Sequence, residues 1–379
     1  MINDDIIQNE LTDVETLEEI IDCLQENISL PTQGECDSQE VFNILVQAAS
    51  SNNSIEATCE NSDDAPHANT IRYHLNKFQN MEKMEEAINQ ALQNRIPQNL
   101  EQTAQKLAID LNLLPYYGEP SAEEEPYIYR SMAKKGTCSF YAYATVYVIK
   151  KNKRITIALI AVRKKQPMLE VIQKLLQRVQ KMGILIKRLC LDRGFCSVAI
   201  LKWLQTEDIS FEMPMVIRGN KLRQIVDSKR KSCKVKYTMN SDKDSVEIEL
   251  YIVCTYKRGE RGSYGIERLV YIVYKVGLAI ERIVVDYRSR FGIETSYRMK
   301  NICLIKTTIK NPVVRLLFAG IAFLLVNLWV FMLWKYVSKP QKGTRLVFTE
   351  LLKFQRFLDF LTQAVSYLYK PITAITLPT

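Results

Sequence analysis

Two short apolar runs, each delivering an aspartate, constrain the fold of this chain more than any other feature. Residues 106–110 close on Asp110, and residues 184–192 close on Asp192. Both are rich in Leu and Ile and too short for a lasting helix, so each reads as a buried strand presenting a carboxylate at or near its end. Between them lie two strand-like stretches, Ser139 to Val148 and Ile155 to Val162, around a basic turn at 150–154. Ala142, Ala144 and Val146 alternate there with Tyr141, Tyr143 and Thr145, which predicts a hairpin. An amphipathic helix follows from Met168 to Met182, with Leu169, Ile172, Leu175, Leu176 and Val179 inward. A helix from Ser197 to Gln205 and a strand from Phe211 to Ile217 complete the series. Taken alone, either aspartate is more commonly an ordinary strand-end residue that opens a turn.

A third acid stands in a charged stretch, Asp286 to Asn301, that follows the apolar residues Leu278, Ile280, Ile283 and Val284. Read as one helix, it sets Tyr287, Arg290 and Glu294 in a narrow stripe, because residues three and four apart share a face. A hydroxyl, a planar cationic fork and a carboxylate on one face can grip a phosphodiester and share a divalent metal. An exposed, salt-bridged helix would show the same triple. Gly292 within the stretch weakens a helix by about 1 kcal/mol and invites close approach of another backbone.

Tyr287, Arg290 and Glu294, with two and then three residues between them, resemble the Tyr-Arg-Glu-Lys signature of DDE transposases from prokaryotic insertion sequences. The signature's Lys falls at 301, where this chain has Asn301, and Lys300 is its neighbour, about 100° away around a helix. Asp192 followed by Arg193, Gly194 and Phe195 is similar to the same family's second-acid motif, and Asp110 to its first acid. Cys196 stands where that family often has an aromatic residue and reads as a packing residue. Leu111, Asn112 and Leu113 supply no further acid after Asp110.

The resemblance covers roughly residues 104–335 and implies an α/β, ribonuclease-H-like mixed sheet flanked by helices, whose first and fourth strands bring Asp110 and Asp192 together. It further implies that Asp110, Asp192 and Glu294 are catalytic and hold two Mg²⁺ (or Mn²⁺), and that Tyr287, Arg290 and Lys300 contact DNA. The expected activity is metal-dependent cleavage at transposon ends followed by transfer of the 3′-hydroxyl into target DNA, in a synaptic homodimer. Two alternatives stay open: a metal-dependent nuclease or resolvase of the same fold, and a catalytically inactive DNA-binding relic, for which Asn301 speaks.

The rest of the chain is organised around that core. Residues 1–40 carry twelve acids and no Lys or Arg, leaving 51 bases against 30 acids elsewhere. A body so basic suits a polyanionic partner, and the acidic arm could screen it, although charge can serve solubility alone. The arm, 1–36, predicts one amphipathic acidic helix with Ile6, Ile7, Leu11, Leu17, Ile20, Ile21 and Leu24. Residues 37–103 predict a helical module and connector. Short helices around Val41–Ala48 and residues 54–59, a polar turn, and a third helix from His67 to Phe78 make a helix-turn-helix-like pattern, with a plain three-helix bundle as the alternative. Arg72 and Lys77 would then reach DNA, with His67 and His74 at the surface or facing DNA.

Residues 104–379 form the catalytic domain, with a β-rich insertion at about 218–276. It opens on a basic run (Arg218, Lys221, Arg223, Lys229, Arg230, Lys231, Lys234, Lys236) expected to lie along DNA, a solvated charged edge being the alternative. Leu316 to Trp334 is uncharged for nineteen residues, long enough to consider a membrane. Gly320 and Asn327 interrupt it, and a helix buried against the sheet is the favoured reading; a last amphipathic helix runs from Leu346 to Leu368. Nine scattered cysteines without CxxC spacing argue for idle thiols in a reducing compartment, and an acidic start carries no signal peptide. A cytoplasmic, nucleoid-associated protein with no membrane partner is expected.

Overall fold

The structure, a computed structural model, describes residues 10–32, 34, 36–96, 100–150, 155–256, 265–342 and 344–374. Ile6 and Ile7 of the acidic arm and residues 151–154 of the basic turn lie outside them.

Five helices come first: α1 (Asp13–Asn27), α2 (Ser38–Ser50), α3 (Ile55–Glu60), α4 (Ala68–Leu75) and α5 (Met81–Asn94). Their starts are written locally. Thr12 with Glu15, and Asp37 with Glu40, form reciprocal capping boxes that satisfy backbone N–H groups at the starts of α1 and α2. The acidic arm packs on the body: α1 lies against α5 and the last helix of the chain, α12 (Phe354–Tyr369). Its Glu19 pairs with Arg95 and Lys335, each at 2.8 Å, so part of its charge is met by nearby bases.

The sheet has nine strands: β1 (Gln105–Pro115), β2 (Ile128–Lys134), β3 (Thr137–Val148), β4 (Thr156–Ala161), β5 (Ile186–Leu191), β6 (Phe211–Pro214), β7 (Cys233–Asn240), β8 (Ser245–Tyr256) and β9 (Ile266–Tyr274). The order is β2-β3-β1-β5-β6-β9-β8-β7, with β4 also against β3. The pairings β1–β5 and β5–β6 are parallel and the rest antiparallel. Crossovers α6 (Met168–Lys181) and α7 (Val198–Thr206) cover one face, with Ile172, Leu175 and Leu201 buried in the same cluster as Leu107 and Ile109. This is the ribonuclease-H-like mixed sheet expected; the strand anticipated as the fourth is β5, because β2 precedes the hairpin, and it lies beside β1.

The segment expected as an insertion opens with a helix, α8 (Asn220–Asp227), and its three strands extend the central sheet: β9 pairs with β6, β8 with β9, and β7 with β8. The free edge of β6 offers unpaired N–H and C=O groups, and β9 satisfies them. β2 and β7 have no counterpart in the sequence reading. β7 was hidden because Lys234 and Lys236 alternate with half-buried Val235 and Tyr237, so its strand period looks like a charge run.

The apolar stretch is α11 (Pro312–Lys335), a helix buried inside the protein along nearly all of its apolar length. The two residues that interrupt it explain its place. A Cβ on Gly320 would meet Ile88 at 2.7–2.9 Å, so only glycine lets α5 approach this closely. Asn327 binds both backbone groups of Thr156, accepting from its N–H at 3.0 Å and donating to its C=O at 2.6 Å. Asn89 does the same for Leu159, at 2.8 and 2.7 Å. Side-chain amides of α5 and α11 thereby occupy the edge of β4 that β3 leaves open. A small hairpin, β10 (Ser338–Gln341) with β11 (Thr344–Val347), leads into α12.

Candidate active site

The charged stretch is a helix interrupted. α9 (Ile280–Arg288) ends in a 3₁₀ turn over Ser289–Phe291, and α10 (Gly292–Ile302) starts anew. The turn tightens the stretch to about three residues per turn, yet Tyr287, Arg290 and Glu294 stay neighbours as the spacing predicts, the Arg290 guanidinium lying 5.5 Å from the Tyr287 ring and 3.4 Å from Glu294. Tyr287 turns into the protein and donates its hydroxyl to the Leu191 carbonyl at 2.9 Å, tying α9 to the end of β5 beside Asp192. Burial pushes its phenol well above the ordinary range. Arg290 is only 5% exposed and still reaches Glu294 across one turn.

Strand pairing brings the aspartates together. Lys106 pairs with Arg188 and Ala108 with Cys190 in parallel register, so Asp110 and Asp192 follow on the same face of neighbouring strands. Asp110 lies inside β1 rather than near its end, because β3 goes on pairing with β1 as far as Pro115 opposite Phe140. Asp192 follows the last residue of β5 and opens a 3₁₀ turn over Arg193–Phe195.

All three acids converge on Arg290. Its Nη1 stands 3.2 Å from Asp110, and its Nη2 stands 3.8 Å from Asp192 and 3.4 Å from Glu294. Asp192 and Glu294 are partly open to solvent, whereas Asp110 is deeper. Burial raises the Asp110 carboxyl to about 6; Arg290 opposes this and the charge of Asp192 adds to it. Among the described residues, no three His, Cys, Asp or Glu side chains lie close enough to share an ion as they stand. The guanidinium occupies the point at which the acids meet. Hard oxygen donors gathered on one cation are nonetheless the donor set that Mg²⁺ or Mn²⁺ takes, so the residues fit such ions.

Beneath the acids lies a layer that sequence reasoning missed. Thr145, opposite Asp110 in β3, shares a 2.6 Å hydrogen bond with the Tyr297 hydroxyl from α10. Tyr297 stands three residues after Glu294 and was legible only as its helical neighbour. Lys300 is fully buried, donating to Asn112 at 3.0 Å and lying 5.5 Å from the Phe323 ring. It faces the interior, and Asn301 is the exposed member of the pair.

Burial lowers Lys300 to about 7, so between that value and its unfolded value near 10.4 the unfolded chain binds a proton that the folded chain lacks. Stability contributed by this group therefore rises with pH across that window. We expect Lys300→Met to raise Tm at pH 7 by about 2–5 °C, and by less at pH 9.5. Thermal melts at both pH values check this, and a lower Tm for the variant at pH 7 refutes it.

The other expected DNA contacts lie on the helical module and on and around α8. Arg72 pairs with Glu56, and Lys77 donates to the Pro31 carbonyl at 3.1 Å. His67 caps α4, its Nδ1 accepting from the N–H of Asn69. His74 is 1% exposed, correcting the surface reading: it shares the inward face of α4 with Ile71 and Leu75. Arg218, Lys221, Arg223, Arg230 and Lys231 are exposed on and around α8, and Lys229 is half-buried. Burial raises the Cys196 thiol, in keeping with a packing role.

A ribonuclease-H-like sheet carrying two aspartates on adjacent strands and a glutamate on a helix over them defines a class of enzymes acting on nucleic-acid phosphodiesters. Residues 101–328 match the family model of the transposase DDE domain, and the chain belongs to that family. It is a DDE-type DNA transposase. Among solved structures it is similar to a piggyBac transposase in a cryo-EM synaptic complex with hairpin DNA, with TM-score 0.57 and 11% identity over 96% of this chain and 81% of that one. No curated protein sequence matches significantly.

Proposed function

We propose that this chain cuts DNA at transposon ends and joins the freed 3′-hydroxyls to target DNA, with Asp110, Asp192 and Glu294 holding two divalent cations, Mg²⁺ or Mn²⁺. The convergence of three acids from β1, the end of β5 and α10 on one guanidinium carries this reading. Cations held there would activate water or a 3′-hydroxyl and stabilise the leaving 3′-oxygen. The protein's own groups do the rest. Tyr287 fixes α9 to the end of β5, and Arg290 exchanges its carboxylate partners for a DNA phosphate, to which its fork is equally suited.

The basic surface of α8 and β7 supplies a track for the phosphate backbone, through Arg218, Lys221, Arg223, Lys229, Arg230 and Lys231. Contacts by Arg72 and Lys77 require each to exchange its internal partner for phosphate. Lys300 acts beneath the site and not on DNA. Synapsis of two ends calls for two copies of the chain.

The test is an assay in Mg²⁺ or Mn²⁺ on DNA carrying the element's ends, with wild type beside Glu294→Ala. Cleavage and joining, both lost in the variant, are expected. Cleavage without joining by the wild type would make it a nuclease, and end binding with neither would make it a relic.

A further inference from the structure

Each catalytic aspartate has a cation four residues before it on the same face of its strand: Lys106 before Asp110, and Arg188 before Asp192. The helical segment above them carries Asp286 four residues before Arg290. The two clusters thus have inverted polarity. At the site the strands provide carboxylates and the segment provides the cation, with Glu294 following it as a third carboxylate. Upstream, the strands provide cations and the segment provides the carboxylate.

The upstream cluster is closed. Lys106 Nζ reaches Asp286 Oδ2 at 2.5 Å, the Asp286 carbonyl at 2.7 Å and Ser289 Oγ at 3.0 Å. Arg188 also pairs with Asp286. Glu212 of β6, fully buried, completes the count of two cations and two carboxylates, 3.2 Å from Lys106 and 3.6 Å from Arg188, and accepts the Cys190 thiol at 3.1 Å. Burial raises Glu212 and opposes the charge of Asp286, whose pairing with Lys106 nevertheless holds it below the usual carboxylate range.

We infer that Lys106, Arg188, Glu212 and Asp286 form a positioning clasp that sets the register of the α9–α10 segment over the sheet and keeps Glu294 above the two aspartates. Sliding the segment one way sets Asp286 against Asp110 and Asp192, and sliding it the other way sets Arg290 against Lys106 and Arg188. Like charges meet in both cases, so one register remains. The inference rests on the proposed site and explains a need within it. Arg290 gives up its carboxylates when cations or phosphate enter, and those pairs then no longer hold α10 down. The clasp is neutral without any ligand and stays made.

The test compares Lys106→Met with Lys106→Arg in the full chain. In the absence of metal, Lys106→Met should speed amide hydrogen exchange across Gly292–Ile302 by at least about tenfold while leaving β1 and β3 within about twofold. Single-turnover end cleavage should fall by at least about tenfold, with affinity for end DNA within about threefold of wild type. Lys106→Arg should restore both readouts to within about threefold. Unchanged exchange across α10, or uniform loosening of sheet and helix that Arg does not rescue, overturns the clasp. Ser289→Ala removes only one acceptor of Lys106 and serves if Lys106→Met does not fold; it should speed α10 exchange by about twofold or more, and no change overturns the clasp. Failure of the wild type to cleave would defeat the proposed function instead, and the exchange measurement would still decide the clasp.

Discussion

Asp192→Ala is expected to lower strand cleavage by at least about 10³-fold while leaving affinity for end DNA within about threefold. Asp192 is more open to solvent than Asp110, stands at the end of β5, and is not needed for the strand to form, so the fold should survive its loss. On the proposed reading, what goes is an oxygen donor that would help position the cations and stabilise the leaving group. Binding is expected to depend mainly on the proposed phosphate contacts along the basic α8–β7 surface, which the substitution leaves alone. Removing the charge also relieves Asp110, whose carboxyl should titrate lower than its present value of about 6. Cleavage kinetics with labelled ends, beside a binding isotherm, measure both effects. Undiminished cutting by the variant would remove Asp192 from the chemistry.

Arg290→Ala is expected to act in two directions. Without metal, three carboxylates lose their common cation, and one of them is largely buried. Asp192 and Glu294 are partly solvated, so the loss is set at about 2–4 kcal/mol, below that of a fully buried pair. Cations should then stabilise the variant more than the wild type, since they no longer compete with the guanidinium and ligand binding to the folded state raises stability by mass action. Cleavage should fall as well, for want of the phosphate contact. Melts across a MgCl₂ series decide it: an equal Mg²⁺ increment in variant and wild type would show that Arg290 does not hold the cations' place.

Much of the architecture was legible because strands and amphipathic helices carry their periods locally. The runs ending at Asp110 and Asp192, the hairpin and the crossover helices follow from alternation and from the 3.6-residue repeat. β2 was not, since it carries a single fully buried residue, Ile128, and no apolar alternation. β7 was not, since on a sheet edge a basic strand is stable and reads as a loop. The turn at Ser289–Phe291 was invisible for another reason: Gly292 weakens a helix there without forbidding one, so the residues alone do not place the turn.

The sequence by itself determined most of the strands, the charges they carry, and the presence of three acids with an arginine and a tyrosine at fixed spacing. These are properties of short segments, written in residue type and period. Tertiary structure alone decided which way those groups face. Tyr287 and Lys300 read as DNA contacts, yet both are buried, because side-chain direction in the Asp286–Asn301 stretch depends on the sheet beneath it, where Tyr287 meets Leu191 and Lys300 meets Asn112. Lys106, Arg188 and Glu212 meet Asp286 from three strands and one helix, separated by up to 180 residues. Charges so far apart along the chain become neighbours only when the sheet sets their register.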